Sequence, residues 1–450
     1  MMKKYIFDAI RLEDWTSVGV VARAFRRHWG RRFFAFMMAS LVSSAALFAI
    51  PGVARADALD VVLNESVRDG IPYVNGEDSA KWPSIVSNVA VVMDMDTGAV
   101  VYAKNPLVSH YPASITKIMT ALLALKYGKL SDELTASKDA VSQPPDKLYM
   151  VPGEKHSLQS LLYGMLLDSA NDVAVEIAEH YGGTVKNFAT MMNQEAKSLG
   201  ATHTHFDNPN GLPDPKHQTT AYDMAVIARA AMQYPEFRKI VQTKYYNWQG
   251  DKWHAKLMNL NTMLFNYPGC IGLKTGFTSV AHETLVIAAK RGDTTFLAVL
   301  MDNPTESSIR QDATSLLNYA FSHYQTQTIE QKGQVVGQVP RGHGQSIPAV
   351  VNQAVMATVP KGQALQAQSV IRYALPARAL AKGDAVGTMD LRAPDGRLLT
   401  SVPLDAGANL PRSNQAAVTF SRTLIPLMLV CALALVGIER LVRRWLPTRM

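Results

Sequence analysis

Two residues at helical spacing could form a nucleophile and its base. Ser114 and Lys117 lie three positions apart, so on a helix their side chains share one face and can come within hydrogen-bonding distance. Pro112 would place Ser114 in the first helical turn, where free N–H groups favour developing negative charge. A desolvated lysine beside another cation can be neutral enough to take the serine proton. The pair could therefore carry out acyl transfer, although a Ser-x-x-Lys pair by itself is usually part of a solvated helix face.

The second motif contains Ser169 and Asn171, spaced Ser-x-Asn. It lies between an apolar run at residues 161–167 and a predicted helix at residues 172–180. Serine or asparagine before a helix often caps its free N–H groups, which is the structural alternative to a catalytic role. The two interpretations are compatible, because a capping residue on a loop can also face a cleft.

The third motif is Lys274, Thr275 and Gly276, in a strand-like segment at residues 271–277. A lysine and a threonine hydroxyl on an edge strand can bind a substrate carboxylate. The glycine would let a ligand backbone approach closely. The alternative is that Lys274 is a solvent-facing charge that protects an edge strand from pairing with other chains.

Together the three motifs are more specific than any one of them. Ser-x-x-Lys, Ser-x-Asn and Lys-Thr-Gly, in this order, are the signature of penicillin-recognising serine enzymes. On these residues the chain resembles the low-molecular-mass penicillin-binding proteins, which are serine-type D-alanyl-D-alanine carboxypeptidases. The resemblance covers residues 85–325 and includes further matches at residues 169–174, 210–212, 219–224 and 272–278.

The sequence departs from this family after Thr278. The family usually has Ala-Gly before the next strand, whereas this chain has Ala281, His282 and Glu283. The conformation of the local turn and the substrate preference are therefore not implied by the resemblance, but the departure touches none of the three motifs. His282 could be considered as a catalytic base, but Lys117 already fills that role.

The resemblance implies a two-step hydrolysis. Ser114 would attack the carbonyl between two terminal D-alanines of a peptidoglycan stem peptide and release D-alanine, leaving an acyl-enzyme that water hydrolyses. Lys117 would take the serine proton, and Ser169 would relay a proton to the leaving amine. β-lactam antibiotics would acylate Ser114 in the same way. No cofactor and no metal are expected.

The resemblance also implies how the substrate is held. Asn171 would hold a substrate amide, while Lys274 and Thr275 would bind the terminal carboxylate, with Arg310 in support. Backbone N–H groups of Ser114 and Phe277 would form the oxyanion hole. The expected substrate-binding residues are Asn171, Lys274, Thr275, Gly276 and Phe277.

The motifs are compatible with two other functions. A class A β-lactamase shares the three motifs but needs a further glutamate in a Glu-x-x-Leu-Asn setting. The sequence after Asn171 lacks that pattern, and Glu195 is followed by Ala-Lys-Ser. The second alternative is a retired domain that only binds peptidoglycan, but such a domain tends to lose its nucleophile or base.

The fold class expected for residues 57–330 is α/β (α+β), with one antiparallel sheet flanked by helices and a helical subdomain, as in β-lactamases and DD-peptidases. Residues 89–93 and 99–103 read as a hairpin, and three strands follow between residues 272 and 301. The first strand, at residues 89–93, and the last of the three later strands should meet in one sheet. Helices are predicted at residues 114–127, 157–164, 171–180 and 221–232.

A small all-β domain is predicted at residues 331–411, where short apolar runs are separated by glycine and proline. This stretch has no Phe or Trp and one tyrosine, Tyr373. It carries no acid, base or metal cluster, so a spacer role is expected. A linker would follow at residues 412–422.

The net charge of +8 at first suggests a nucleic-acid partner. However, residues 1–32 carry +5 and residues 439–450 carry +3, so the 406 residues between them are neutral. The charge pattern excludes a nucleic-acid-binding body. Basic ends beside apolar runs indicate instead a membrane-associated protein.

Residues 1–56 are interpreted as an N-terminal extension and a secretory signal, because residues 33–50 are apolar and a small-x-small site follows. An uncleaved membrane helix is the alternative. Residues 423–440 are predicted as a membrane anchor in contact with lipid, with an interfacial helix as the alternative, and residues 441–450 as a basic cytoplasmic tail. Both ends would then be cytoplasmic and the catalytic body extracytoplasmic. Cys270 and Cys431 are not expected to form a disulfide.

Overall fold

The structure is a computed structural model that describes residues 61–63, 65–74, 82–340, 346–365, 367–375, 378–392, 394, 396 and 398–409. The predicted signal, linker, membrane anchor and basic tail lie outside these residues. Among the residues described, no helix has both the length and the apolar character needed to cross a membrane.

The elements are short and numerous. The strands are β1 (Val61–Leu63), β2 (Glu65–Arg68), β3 (Ile71–Val74), β4 (Val89–Asp94), β5 (Val100–Lys104), β6 (Glu133–Thr135), β7 (Lys155–Ser157), β8 (Tyr245–Gln249), β9 (His254–Met258), β10 (Cys270–Thr278), β11 (His282–Arg291), β12 (Thr294–Asn303), β13 (Tyr324–Glu330), β14 (Val335–Pro340), β15 (Ser346–Val351), β16 (Val355–Pro360), β17 (Gln368–Tyr373), β18 (Ala385–Arg392) and β19 (Leu398–Ala406). The helices are α1 (Lys117–Tyr127), α2 (Lys138–Ser142), α3 (Leu158–Leu167), α4 (Asn171–Gly182), α5 (Val185–Ser198), α6 (Ala221–Ala231), α7 (Pro235–Val241), α8 (Met263–Asn266) and α9 (Glu306–His323).

A seven-stranded sheet forms the centre of the catalytic region, in the order β10-β11-β12-β4-β5-β3-β2. Its pairs are antiparallel except β3 with β5. The predicted hairpin at β4 and β5 is confirmed. The expectation that the first and last strands meet is also confirmed, because β12 pairs with β4 and places Leu300 opposite Ala90. A strand covered on both faces needs a continuous apolar run, and all six residues of β4 are buried.

Helices cover both faces of this sheet, so the region has three layers. On one face Val91 and Val299 pack with helix residues such as Ile118 of α1. On the other face Val92 and Ala298 pack against α9, with the adjacent Leu316 and Leu317 in the same cluster. The mixed α/β architecture expected for this region is therefore confirmed. In the order of this sheet β10 is an edge strand, beside the helical layer.

The C-terminal region is all-β, as expected. A five-stranded sheet has the order β14-β15-β19-β18-β17, and a three-stranded sheet has the order β1-β16-β13. Aliphatic residues fill its interior, among them Val386, Met389 and Val402. Strand β13 precedes residue 331 but pairs with β16 beyond it. The boundary between residues 330 and 331 stays a prediction, since one sheet spans it.

Candidate active site

Ser114 lies in a 3-10 turn, Ala113–Thr116, directly before α1. The prediction of one continuous helix from residue 114 is therefore wrong at its first turn. Residues i and i+3 eclipse in a 3-10 turn, so the Ser-x-x-Lys spacing still directs both side chains to the same side. The turn starts at Ala113, whose φ of 52° is unusual for a residue with a Cβ. Strain of this kind persists only where the surroundings impose it.

Two neighbouring segments impose that conformation. Gly211 has a φ of +87°, and a Cβ there would lie 1.9 Å from the carbonyl oxygen of Ala113. On β10, a Cβ at Gly276 would lie 2.7 Å from the backbone nitrogen of Ser114. Thr284 on β11 donates its hydroxyl to the carbonyl of Pro112 at 2.9 Å. The backbone of the turn is thus held between the loop at Gly211 and the edge of the sheet.

Lys117 is fully buried and its ammonium nitrogen makes three hydrogen bonds. Nζ lies 3.0 Å from Ser114 Oγ, 2.8 Å from Asn171 Oδ1 and 2.7 Å from the carbonyl oxygen of Asn210. Burial, followed by the positive charge of Lys274, holds the pKa of Lys117 well below its ordinary value of 10.5. A lysine in this environment can be an uncharged base beside the serine hydroxyl.

Lys274 is also buried, with 1% of its surface exposed. Its Nζ donates to the carbonyl oxygen of Thr275 at 2.8 Å. Burial lowers the pKa of Lys274 to about 8, although the carboxylates of Asp146 and Asp168 oppose this. Strand β10 is an edge strand as predicted. The alternative that Lys274 is a solvent-facing protecting charge is wrong, because its side chain points inward.

Ser169 and Asn171 do not cap the helix that follows them. The N-cap of α4 is Ala170, and no side chain caps it. Ser169 has a φ of 66° and is 4% exposed. The Asn171 amide is used at both ends, since Oδ1 accepts from Lys117 and Nδ2 donates to the carbonyl oxygen of Pro144 at 3.0 Å. The capping interpretation is therefore wrong, and Asn171 orients the lysine amine.

A cleft of about 310 Å³ opens above these groups. Phe277 is 61% exposed at its edge. Lys117, Asn171 and Lys274 lie beneath the surface of the cleft and are absent from its lining. The lining residues are Ser114, Pro145, Asp146, Ser169, Leu260, Asn261, Thr262, Thr275, Gly276, Phe277, Glu283, Thr284, Leu285, Glu306, Ile309 and Arg310.

The structure adds residues that the sequence analysis did not assign to the site. Asn210 contributes a carbonyl that fixes Lys117, although in the sequence its segment at residues 210–212 is only a match to the family. Glu283 and Glu306 place carboxylates in the cleft, and Arg310 pairs with Glu306. No motif signals these acids, because each is brought to the cleft by the packing of β11 and α9.

Two other candidates lie elsewhere. His282 is outside the cleft lining, and its Nδ1 lies 2.7 Å from Asp302 Oδ1, so nothing in the geometry supports a base there. Glu195, the glutamate considered for a β-lactamase, lies on α5 and forms an ion pair with Lys126 at 2.5 Å. Neither residue contacts Ser114.

Comparison with known proteins identifies two matching families. Residues 76–305 match the family described as D-alanyl-D-alanine carboxypeptidase. Residues 324–412 match the C-terminal domain of penicillin-binding protein 5.

Individual relatives match most of the chain. D-alanyl-D-alanine carboxypeptidase DacF of Bacillus subtilis is 33% identical, over 72% of this chain and 86% of that protein. DacA of Haemophilus influenzae is 32% identical, over 72% of this chain and 84% of that protein. The crystal structure of penicillin-binding protein 5 from Haemophilus influenzae has a TM-score of 0.62 at 29% identity, and covers 73% of this chain and 98% of that one. The sequence match, the shared fold and the Ser114–Lys117 geometry agree, and the chain belongs to the D-alanyl-D-alanine carboxypeptidase family of serine-type, penicillin-binding peptidases.

Proposed function

We propose that the cleft hydrolyses the terminal D-alanine from peptidoglycan stem peptides that end in D-Ala-D-Ala, with Ser114 as the nucleophile. The observation that carries this proposal is the 3.0 Å contact between Ser114 Oγ and the buried amine of Lys117. When neutral, Lys117 accepts the hydroxyl proton as Ser114 Oγ attacks the scissile carbonyl. Asn171 and the carbonyl of Asn210 keep the amine in place.

The carbonyl oxygen that becomes negative needs hydrogen-bond donors. The backbone N–H groups of Ser114 and Phe277 are assigned this role, because Gly276 allows β10 to come close to the turn that contains Ser114. The leaving amine of D-alanine receives a proton through Ser169, which lines the cleft. Water then attacks the ester carbonyl and gives a proton to Lys117. The bond between the acyl carbon and Ser114 Oγ breaks, and Lys117 returns the proton to Oγ.

Selection for a free C-terminus follows from the positive groups near Thr275. Thr275 and Arg310 both line the cleft, and Lys274 is buried next to Thr275 in β10. Thr275 and Arg310 can bind the terminal carboxylate of the substrate directly, and the charge of the buried Lys274 attracts it. A β-lactam that carries a carboxylate would bind in the same orientation and acylate Ser114.

We further infer where the protein acts. The apolar runs at residues 33–50 and 424–438 and the basic residues beyond them support export of the catalytic body and anchoring by residues 423–440 in the membrane lipid. The C-terminal β region would then hold the cleft away from the membrane and towards the cell wall, which contains the substrate.

The test is release of D-alanine from a pentapeptide ending in D-Ala-D-Ala by the full chain. Ser114→Ala is expected to lower kcat/KM by at least about 10³-fold and to abolish labelling by benzylpenicillin. Ser369→Ala, an exposed serine of β17, is the control and should retain both activities. Slow release of a stoichiometric penicillin label is expected, whereas rapid turnover would indicate a β-lactamase. Unchanged D-alanine release by Ser114→Ala would contradict the proposal.

A further inference from the structure

Glu283 places a carboxylate where the cleft is proposed to bind an anion. It lies on β11 directly opposite Phe277 of β10, so the two side chains are on the same face, with Cβ atoms about 5 Å apart. Thr275 lies two residues before Phe277 and therefore on that face as well. Glu283, Thr275 and Phe277 all line the cleft. A negative charge here would oppose binding of a substrate carboxylate.

The other charges around Glu283 do not neutralise it. From α9, Arg310 faces it but already forms an ion pair with Glu306, which adds a second negative charge. On β10, Lys274 points to the opposite face from Thr275 and is bound to a backbone carbonyl.

The remaining charged neighbours are engaged elsewhere. On β12, the residue opposite Glu283 is the uncharged Asn303, and the preceding Asp302 is bound by His282. Asp312 of α9 accepts hydrogen bonds from Ser87 and Asn303. Among the described residues, therefore, no cation forms an ion pair with Glu283.

The electrostatics agree with this geometry. Burial, followed by the nearby charge of Glu306, raises the pKa of Glu283 above its usual 4.5, while Arg310 partly opposes the shift. A substrate carboxylate bound at Thr275 would be a further negative charge and would raise this pKa again. Once protonated, the Glu283 carboxyl can donate one hydrogen bond to that carboxylate.

We propose that Glu283 determines specificity by taking up one proton from solvent when a peptide with a free C-terminal carboxylate binds. This inference rests on the proposed function, since it uses the carboxylate site at Thr275. The bound peptide then faces a neutral carboxyl group in place of a negative one. Affinity for carboxylate-ended peptides therefore falls as the pH rises above the pKa of free Glu283, and affinity for amide-ended peptides does not.

Calorimetry on the full chain tests the proton uptake directly. Ser114→Ala prevents hydrolysis, and the ligands are a peptide ending in D-Ala-D-Ala and the same peptide with a C-terminal amide. Titrations between pH 5 and 8, in buffers with different ionisation enthalpies, give the number of protons bound. Uptake approaching one proton is expected for the acid peptide, with a Kd that rises up to about tenfold per pH unit. The amide peptide should show no uptake.

Adding Glu283→Gln should remove the uptake and lower the Kd for the acid peptide at pH 8 several-fold. Glu306→Gln is the matched control, because it removes one charge from the same cleft. It should tighten binding modestly and leave the proton uptake in place. Equal uptake with and without Glu283, or none at any pH, would overturn the inference.

The chain with Ser114 intact separates this inference from the proposed function. Its KM for the acid peptide should rise with pH, and Glu283→Gln should flatten that rise with a smaller effect on kcat. A KM profile that Glu283→Gln leaves unchanged, while D-alanine is still released, overturns only the role of Glu283. Absence of D-alanine release overturns the proposed function itself.

Discussion

The cleft and the C-terminal β region place their positively charged side chains in opposite ways. Beneath the cleft, Lys117 and Lys274 have at most 1% of their surface exposed. In the β region, the ion pair of Arg378 and Asp384 has side chains that are 62% and 20% exposed, and the interior is mostly aliphatic. Burying a charged amine costs free energy, so it is not an arrangement that stability alone would produce. At the cleft this cost has a functional reason, because burial lowers the pKa of Lys117 and so allows it to act as a base.

The backbone differs between the same two regions. Ala113, which precedes Ser114, and Ser169, which lines the cleft, have positive φ values of 52° and 66°. Among the described residues from 331 onward, every positive φ belongs to a glycine. Non-glycine residues in this conformation store strain that the surrounding structure must hold. Functional geometry is thus imposed on the cleft, whereas the β region follows local preference.

The largest effect should come from Lys117→Met, which removes the amine and keeps most of the side-chain volume. Without a base at Ser114, kcat/KM for D-alanine release should fall by about 10³-fold or more. Lys382→Met, at an exposed lysine of the β region, is the control and should leave kcat/KM unchanged. Equal kcat/KM values for the two variants would show that the buried amine of Lys117 is not needed for catalysis.

The pH profile should be bell-shaped because both buried amines titrate below their usual range. At pH values below the lowered pKa of Lys117 the amine is protonated and cannot accept a proton, so kcat/KM falls. Above a pH of about 8 Lys274 loses its charge, so its attraction for the substrate carboxylate weakens and KM rises. Steady-state kinetics between pH 5 and 10 measure both limbs. A rate that kept rising to pH 10 would be the contrary result.

Gly276→Ala tests the close approach of β10 to the nucleophile. The added Cβ would lie 2.7 Å from both the nitrogen of Ser114 and the Thr284 hydroxyl, which must displace the turn. We expect kcat/KM to fall about 10- to 100-fold, since catalysis depends on sub-ångström placement. Gly333→Ala is the counterpart in the β region, where the φ is +83° and a Cβ meets no atom within 4 Å. That variant should cost about 1 kcal/mol of stability and no activity.

Glu176→Gln tests the cost of burying a charge in α4, the helix that begins at Asn171. Glu176 is 2% exposed and neither carboxylate oxygen has a hydrogen-bond partner. Burial, together with the charges of Asp172, Glu154 and Glu179, raises its pKa to about 8. The unfolded chain therefore releases this proton at lower pH than the folded chain, and stability is lost as the pH rises towards 8.

The variant should escape that loss. Urea unfolding should show Glu176→Gln to be more stable than the natural chain at pH 8, by about 1–3 kcal/mol, and nearly equal to it at pH 4. An identical pH dependence in both chains would mean that Glu176 is charged and solvated in the folded protein.

The smallest effect is expected for Arg378→Ala. The ion pair with Asp384 lies at the surface, where solvent screens it, so Tm should change by no more than about 2 °C. D-alanine release should not change. Thermal unfolding and the peptidase assay check both, and a loss of activity would show that the β region influences the cleft.

Much of the fold was predictable because its signals are local. The apolar run of β4 and the residues of the turns between strands can be recognised from the sequence alone, because these signals depend only on neighbouring residues. The helix at Lys117 was predicted, but its first turn was not, since the left-handed Ala113 is imposed by Gly211 and β10 from distant parts of the chain. The prediction that Ser169 or Asn171 caps α4 was wrong for the same reason, because Asn171 accepts a hydrogen bond from Lys117, which is distant in sequence.

By itself the sequence determined which groups are available: a hydroxyl, an amine three residues later, and two further motifs in a characteristic order. Only the tertiary structure decided the state of those groups, because the charge of Lys117 and of Glu283 depends on burial and on neighbours that are remote in sequence. Spacing along the chain carries no information about the solvent that packing removes, and removing that solvent is what shifts their protonation.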